Sequence, residues 1–309
     1  MATLKELSSV PEVLAPGHRM CAGCGAPVVV RQVLRGAKSP VVVGSATGCL
    51  EVSTTIYPYT SWNSPFIHTA FENAAASLSG VEAAYRSLKR QGKITDDMKF
   101  VCFGGDGGTY DIGLQSLSGA MERGHNMVYV CYDNGAYMNT GIQRSSATPR
   151  GADTTTTPVG KVQPGKQDNR KDLTKIMMAH EIPYVAQVSP SHWNDMYQKS
   201  EKAFAVDGPA FINALAPCPR GWRYDSKDTI EMCKLAVDTC FWPLYEVVEG
   251  KVRVTHKPRN KKPVVEFLKA QGRFRHLFRP ENEEILEQIQ AEVDRKWEEL
   301  LALEGIASE

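Results

Sequence analysis

The chain has 309 residues, of which 42% are hydrophobic and 23% are charged, and this ordinary composition excludes a disordered or fibrous protein. Its net charge of +1 provides no overall field toward nucleic acid or an anionic membrane, so neither is expected as a partner. No apolar run approaches the ~18 residues of a membrane-spanning helix, and the N-terminus lacks the pattern of an export signal. We therefore expect a cytoplasmic protein.

Short apolar segments alternate with longer helical patterns along most of the chain. The predicted elements are, in order, a helix at 27–34, a strand at 41–45, a helix at 68–90, a strand at 99–103, a helix at 111–122, a strand at 127–132, a helix at 172–180, a strand at 183–188, a helix at 192–205 and a strand at 210–216. This alternation is typical of an α/β fold with a doubly wound, mainly parallel sheet.

Two segments depart from the alternation. Residues 144–172 are rich in proline, glycine, threonine and charge, and they predict a long loop of the kind that is either functional or mobile. Residues 250–276 are basic and irregular, and residues 281–303 predict a charged amphipathic helix. We therefore divide the chain into a main domain, residues 1–249, and a C-terminal arm and helix, residues 250–309, which we expect to pack on a partner.

The most informative stretch is VCFGGDGGTYDIG, residues 101–113, in which a predicted strand runs into a glycine-rich turn and a helix. Glycines let the backbone approach a ligand closely, and the N-terminus of the following helix favours an anion. Asp106 would repel a bare phosphate, so a divalent cation is expected between them. A dinucleotide fingerprint does not fit because Tyr110 occupies its third glycine position, and no Gly-Lys-Ser/Thr P-loop is present.

The next predicted strand ends in CYDNGAYMNTG, residues 131–141. Parallel neighbouring strands place their carboxyl ends side by side. Asn134 and the backbone carbonyl of Ala136 are therefore expected to complete a coordination shell begun by Asp106. Such an all-oxygen shell, filled by phosphate oxygens and water, suits Mg²⁺.

The eight cysteines divide into candidate ligands and candidate core residues. Cys21 and Cys24 form a Cys-x-x-Cys pair in a glycine-rich turn, and Cys49 and Cys218 each follow a predicted strand directly. Four thiolates from three segments suit either a structural zinc ion or a 4Fe–4S cluster, and the spacing leaves both open. The other four are predicted to be buried packing residues: Cys102, Cys131, Cys233 and Cys240.

Seven motifs follow one another in the order CAGCG, ATGC, PYTSW, FIHTAFENAAA, GGDGGTYDIG, YDNGAYMNTGIQRSSATP and APCPRGW. Together they closely resemble the β subunit of the multi-subunit 2-oxoacid:ferredoxin oxidoreductases of the pyruvate synthase type, a lineage that includes oxalate oxidoreductase. Within them, GDG followed after 26 residues by Asn is similar to the binding motif of thiamine-diphosphate enzymes. The resemblance covers about residues 14–280.

The resemblance implies a role for each matching residue. Its 4Fe–4S ligands are Cys21, Cys24, Cys49 and Cys218, and its Mg²⁺ ligands are Asp106, Asn134 and the carbonyl of Ala136. Its thiamine-diphosphate wall consists of Gly48, Cys49, His68, Gly105, Asp106, Gly107 and Gly108. It makes Asn139 the catalytic residue that faces the substrate. His68 as a core histidine and Asn139 as a turn residue remain open alternatives.

The implied activity is oxidative decarboxylation of a small 2-oxoacid, with electrons passing singly through the cluster to ferredoxin. One-electron chemistry favours the cluster over zinc, which has no redox chemistry. The resemblance also implies further subunits, one supplying a catalytic glutamate and one resembling ferredoxin. Pyruvate is the expected substrate and oxalate the alternative. A zinc-stabilised interaction subunit is the competing hypothesis from another class.

Overall fold

An eight-stranded sheet lies at the centre of the structure, a computed structural model that describes residues 3–306. The strands are β1 (Val41–Ala46), β2 (Phe66–Thr69), β3 (Lys99–Gly105), β4 (Val128–Asp133), β5 (Tyr184–Val188), β6 (Ala210–Leu215), β7 (Leu244–Val248) and β8 (Lys251–His256). Their order is β2-β1-β3-β4-β6-β5-β7-β8, and only β7 and β8 run antiparallel to their neighbours. The predicted α/β fold with a mainly parallel sheet is confirmed.

Helices cover both faces of the sheet. They are α1 (Leu4–Ser8), α2 (Gly25–Leu34), α3 (Cys49–Thr54), α4 (Ala74–Arg90), α5 (Leu114–Glu122), α6 (Leu173–Met178), α7 (Trp193–Ala205), α8 (Pro219–Trp222), α9 (Thr229–Asp238), α10 (Val264–Lys269) and α11 (Glu283–Ile306). Helices α2 and α7 pack on one face, against residues such as Phe103 and Val130, while α4, α5 and α6 pack on the other, against Cys102 and Tyr129. The central strands are therefore apolar on both faces, as buried parallel strands are. Within residues 3–306, no helix is both long and apolar enough to cross a bilayer.

Two helices begin later than the sequence predicted. Residues 66–69 form the edge strand β2, so His68 belongs to a strand, and α4 begins only at Ala74. After β3, the chain passes through a π-helical turn, Gly107–Asp111, before α5 begins at Leu114. Periodicity does not distinguish a four-residue strand or a single π turn from the helix that follows it.

The predicted long loop at 144–172 has no helix or strand, but much of it is buried. Ala147, Thr148 and Ala152 are fully buried, and the Lys166 ammonium donates to the Thr148 carbonyl oxygen at 2.6 Å. Burial lowers the pKa of Lys166 to about 8. The loop therefore packs as part of the body of the protein.

The irregular structure predicted for residues 250–276 was wrong. Strand β8 pairs with β7, and the predicted boundary between residues 249 and 250 falls in the turn of this hairpin. Helix α10 and the 3₁₀ segment Gly272–Phe278 bury Phe267 and Phe274, and Leu300 of α11 packs on the second sheet face. The strand was missed because its alternating pattern is short and its exposed side chains are basic. Contact with a partner subunit stays a prediction.

Truncation after residue 249 is therefore expected to abolish the cooperative thermal unfolding of the chain. The deletion removes β8 from the sheet and uncovers the buried side chains that face Phe267 and Phe274. Circular dichroism of the full-length and truncated chains during heating measures this. A truncated chain that melts at the full-length temperature would show that the arm contributes nothing to the fold.

Candidate cofactor site

A cavity lies where the carboxyl ends of β1, β3 and β4 meet, the edge at which open α/β sheets bind ligands. Its lining residues are Thr47, Gly48, Cys49, Phe71, Gly105, Asp106, Gly107, Gly108, Tyr132, Asn134, Ala136, Tyr137, Met138, Asn139 and Thr140. Every residue predicted to bind the cofactor, apart from His68, lies in this wall, together with Asn139. The sequence did not indicate Phe71, Tyr132 or Tyr137, because aromatic side chains at a cavity have no local sequence pattern.

His68 lies beside the cavity. Its Nε2 atom is 2.8 Å from Thr47 Oγ1 and 3.6 Å from Glu51 Oε2, and its side chain is 44% exposed. Thr47 itself lines the cavity, so His68 contacts the wall from outside. It is neither a core histidine nor a direct part of the wall.

The glycine turn is packed against a tyrosine ring. A Cβ atom at Gly107 would overlap the ring of Tyr137, whose hydroxyl donates to the Gly107 carbonyl oxygen at 2.9 Å. Glycine is thus required at position 107 because the Tyr137 ring packs directly against the backbone. A π turn at this point is also a feature common at functional sites.

Three oxygen-bearing groups converge at the floor of the cavity. The Asp106 carboxylate is fully buried and accepts from the Asn134 backbone N–H at 3.2 Å and from the Ser145 hydroxyl at 2.5 Å. With its amide nitrogen turned inward, the Asn134 side chain donates to Asp106 Oδ1 at 2.9 Å and to the Ala136 carbonyl oxygen at 2.8 Å. With its amide oxygen turned inward, three oxygens face one another, an arrangement that a hard divalent cation stabilises.

The charge at this floor also suits a cation. Burial, and then the neighbouring charge of Asp133, raise the pKa of Asp106 well above its usual range. A buried carboxylate is costly unless it is paired or coordinates a metal. The Tyr132 hydroxyl, buried in the same wall, makes no hydrogen bond of standard geometry within residues 3–306, although the Leu50 backbone N–H lies near it. The buried Asp106 carboxylate and the Tyr132 hydroxyl are thus both suited to contact a bound polar group or ion.

The long loop holds this floor in place. Arg170 forms an ion pair with Asp133 and donates to the Tyr110 hydroxyl at 2.6 Å, while its guanidinium lies 4.8 Å from the ring centroid of Trp242. The Ser146 backbone N–H donates to Asp111 at 2.9 Å. The loop is thus part of the site, and its contacts were not predictable because partners tens of residues apart share no sequence pattern.

Backbone contacts join the three segments that carry the predicted cluster ligands. The Gly25 N–H donates to the Pro217 carbonyl oxygen at 3.0 Å, and a Cβ atom at Gly25 would lie 2.7 Å from the Pro217 nitrogen. The Arg19 N–H donates to the Ser53 carbonyl oxygen at 2.8 Å. The Cys-x-x-Cys turn therefore packs beside both the segment before α8 and helix α3.

The four thiols of these segments influence one another electrostatically. Burial raises the pKa of Cys24 to about 12, and the charges of Cys218, Cys49 and Cys21 add to this shift. The Gly221 N–H donates to Cys218 Sγ at 3.3 Å, a contact that stabilises a thiolate. In the described chain, no three His, Cys, Asp or Glu side chains are close enough to hold one metal ion. The four cysteines thus lie in one region of the structure, but no three of them are close enough to bind one metal ion.

The remaining cysteines are buried packing residues, as predicted: Cys102, Cys131, Cys233 and Cys240. Cys240 lies beyond the end of α9, with φ of 56°, so it does not share a helical face with Cys233.

Comparisons with known proteins agree with this geometry at the level of class. Residues 43–214, more than half of the chain, match the family described as thiamine pyrophosphate enzyme, C-terminal TPP binding domain. The chain is therefore a member of the thiamine-diphosphate-binding enzymes.

Relatives narrow this class to one family. The chain is 57% identical to pyruvate synthase subunit PorB of Thermotoga maritima, covering 96% of this chain and 93% of the relative. It is 54% identical to PorB of Methanocaldococcus jannaschii, with coverage of 92% and 95%, and 44% identical to ketoisovalerate oxidoreductase subunit VorB of Pyrococcus abyssi, with 93% and 92%. The chain belongs to the family of 2-oxoacid:ferredoxin oxidoreductase β subunits, and is one subunit of a hetero-oligomeric oxidoreductase.

A solved structure shares the fold. The 2-oxoglutarate:ferredoxin oxidoreductase from Magnetococcus marinus, with 2-oxoglutarate, coenzyme A and succinyl-CoA bound, matches 73% of this chain and 78% of its own chain. The TM-score is 0.54 and the sequence identity is 23%, so this likeness concerns the fold alone.

Proposed function

We propose that this chain holds thiamine diphosphate, Mg²⁺ and one 4Fe–4S cluster within an enzyme that oxidatively decarboxylates a small 2-oxoacid and reduces ferredoxin. The observation that supports this most strongly is the position of Cys49. It lines the same cavity as Asp106, and charges on Cys218, Cys21 and Asp106 all raise the pKa of its thiol after burial. A cluster bound there would adjoin the cofactor, as electron transfer between them requires.

The residues of the cavity have distinct roles in this proposal. Asp106, Asn134 and the Ala136 carbonyl would hold Mg²⁺, which would offset the charge of the diphosphate, while Gly48 and the glycine turn would let the cofactor lie against the backbone. When bound, thiamine diphosphate supplies the chemistry that stabilises charge on the decarboxylating 2-oxoacid. Asn139 would donate a hydrogen bond to the substrate oxygen as negative charge develops on it.

A partner subunit is needed to complete the site. Among the lining residues in the described chain, Asp106 is the sole carboxylate, and it faces the proposed metal ligands. Glu51 lies outside the wall, beside His68. We propose that the partner supplies the glutamate that activates the cofactor, and that a ferredoxin-like subunit carries electrons outward. Tyr57 and Tyr59 follow α3, whose first residue Cys49 lines the cavity, and their exposures of 92% and 74% suit a partner interface.

The proposed substrate is pyruvate, as the names of the PorB relatives indicate. The test is anaerobic purification of this chain with its native partners, followed by assays of pyruvate, oxalate, 2-ketoisovalerate and 2-oxoglutarate with a viologen acceptor. We expect the highest kcat/KM with pyruvate. Viologen reduction with oxalate but not with pyruvate would refute the pyruvate assignment and identify oxalate as the substrate.

The Cys49→Ser variant is expected to lose the iron of one cluster per chain, as is Cys24→Ser, because serine replaces a thiolate ligand poorly. Cys233→Ser is the matched control, since Cys233 is buried in α9 and serves packing. Iron and zinc are measured per chain in each purified complex. Full iron in Cys49→Ser would refute the ligand assignment, and zinc in place of iron in the wild type would favour the structural-zinc hypothesis.

A further inference from the structure

Arg273 is a buried cation that pairs with no carboxylate of the described residues. Its side chain lies on the 3₁₀ segment Gly272–Phe278 and the residue is 2% exposed. The guanidinium lies 4.3 Å from the ring centroid of Trp222 and 5.0 Å from that of Phe274, and Nε donates to Gln271 Oε1 at 2.9 Å. Within residues 3–306 it forms no ion pair. Aromatic rings and one amide oxygen thus fix its position without neutralising it.

This cation packs against helix α8, which begins directly after Cys218, and lies beside the turn that carries Asn134. Nη1 of Arg273 is 3.1 Å from the point where a Cβ of Gly135 would be, next to Asn134. Arg273 also packs on Trp222, four residues after Cys218 in sequence, whose Nε1 donates to the Asn134 carbonyl oxygen at 2.6 Å. Arg273 therefore fills the space between helix α8 and the turn that follows β4.

The surrounding charges indicate which group Arg273 faces. Burial lowers the pKa of Arg273 to about 9, and the first of the charges that oppose this shift is Cys218, followed by Asp133 and Asp106, while Arg170 adds to it. A buried cation is costly unless negative charge compensates it. Asp133 already pairs with Arg170, and Asp106 would be compensated by the proposed Mg²⁺. Of the three charges, Cys218 and whatever it ligates therefore remain for Arg273.

We propose that Arg273 raises the reduction potential of the cluster held by Cys218, by placing a fixed positive charge beside it. The inference rests on the cluster proposed above. Reduction adds one negative charge to an iron–sulfur cluster, and charge near the cluster is among the factors that set its potential. Because Arg273 is buried, solvent and salt screen its charge little. It acts through the cluster, so it is a positioning residue and not a catalytic one.

The test compares Arg273→Gln with Arg275→Gln in the anaerobic holo-complex. Arg275 lies on the same 3₁₀ segment but is exposed. Arg275→Gln therefore removes an equal positive charge, but one that solvent screens. The cluster of this chain is identified as the electron paramagnetic resonance signal that Cys49→Ser lacks. At a fixed solution potential, Arg273→Gln is expected to lower the ratio of reduced to oxidised cluster about tenfold, about 59 mV for a one-electron couple. Arg275→Gln should leave this ratio nearly unchanged.

An unchanged ratio in Arg273→Gln, with iron and thiamine diphosphate at wild-type content, would overturn the inference. Absence of any signal that depends on Cys49 would instead refute the cluster itself, so the two failures are distinguishable. If Arg273→Gln does not assemble, Arg273→Lys keeps a charge that a buried lysine loses more readily than arginine. The proposal then requires the cluster ratio of Arg273→Lys to fall at a lower pH than that of the wild type, because burial lowers the pKa of Arg273 only to about 9. Equal pH profiles would overturn it.

Discussion

Asp106→Asn is expected to abolish retention of thiamine diphosphate while leaving the chain folded. Asparagine keeps the size of the side chain, and its Oδ1 still accepts from the Asn134 backbone N–H. Its Nδ2 replaces the oxygen that accepts from Ser145 and can instead donate to the Ser145 hydroxyl. It removes the charge that the proposed Mg²⁺ requires. In the metal-free wild type, no metal ion offsets the charge of the buried Asp106 carboxylate. Asp106→Asn is therefore expected to melt at least as high as the metal-free wild type.

Thermal unfolding with and without Mg²⁺ and thiamine diphosphate measures both effects at once. At cofactor concentrations about 100 times Kd, the wild type gains about 2.7 kcal/mol of stability, and Asp106→Asn should gain none. Asp111→Asn is the control, because Asp111 lies in the same turn but outside the cavity wall and holds Ser146. Equal cofactor stabilisation of Asp106→Asn and the wild type would remove Asp106 from the metal site.

Asn139→Ala is expected to lower kcat by roughly 10²–10³-fold, the loss that follows removal of one donor to a developing oxyanion. The side chain lines the cavity and is exposed to it, while the proposed metal ligands lie deeper. Such a donor acts mainly in the transition state, so thiamine diphosphate and iron should stay bound.

The measurement is kcat per bound cofactor, together with the melting temperature. Asn126→Ala is a suitable control, because Asn126 is a surface asparagine before β4 that bonds Asp207. If Asn139 only stabilises its turn, the melting temperature falls and kcat per bound cofactor stays near the wild-type value. That result would end its assignment as the catalytic residue.

The parts of the site that follow strands were predictable from the sequence. Asp106, Asn134 and the Ala136 carbonyl lie at the ends of adjacent parallel strands, and strand order alone brings such positions together. Gly48 and Cys49 follow β1 for the same reason. Apolar strands and glycine turns are local patterns, so a single sequence reveals them.

The supporting residues were not predictable because their partners are distant in sequence. Ser145 and Arg170 come from a loop that has no periodicity, and their contacts with Asp106 and Asp133 depend on the path of that loop. Arg273 lies in a segment that was predicted to be irregular and outside the main domain. A cation surrounded by aromatic rings has no sequence signature, so only the fold reveals it.

The most direct test of the account is the response of the anaerobic complex to pyruvate, followed by visible absorption and electron paramagnetic resonance. The wild-type complex should be brown and should bleach as this chain's cluster becomes reduced. Asp106→Asn should keep the cluster but fail to reduce it, and Cys49→Ser should keep thiamine diphosphate but lack the signal. Reduction of the cluster by pyruvate at the wild-type rate in Asp106→Asn would contradict the account.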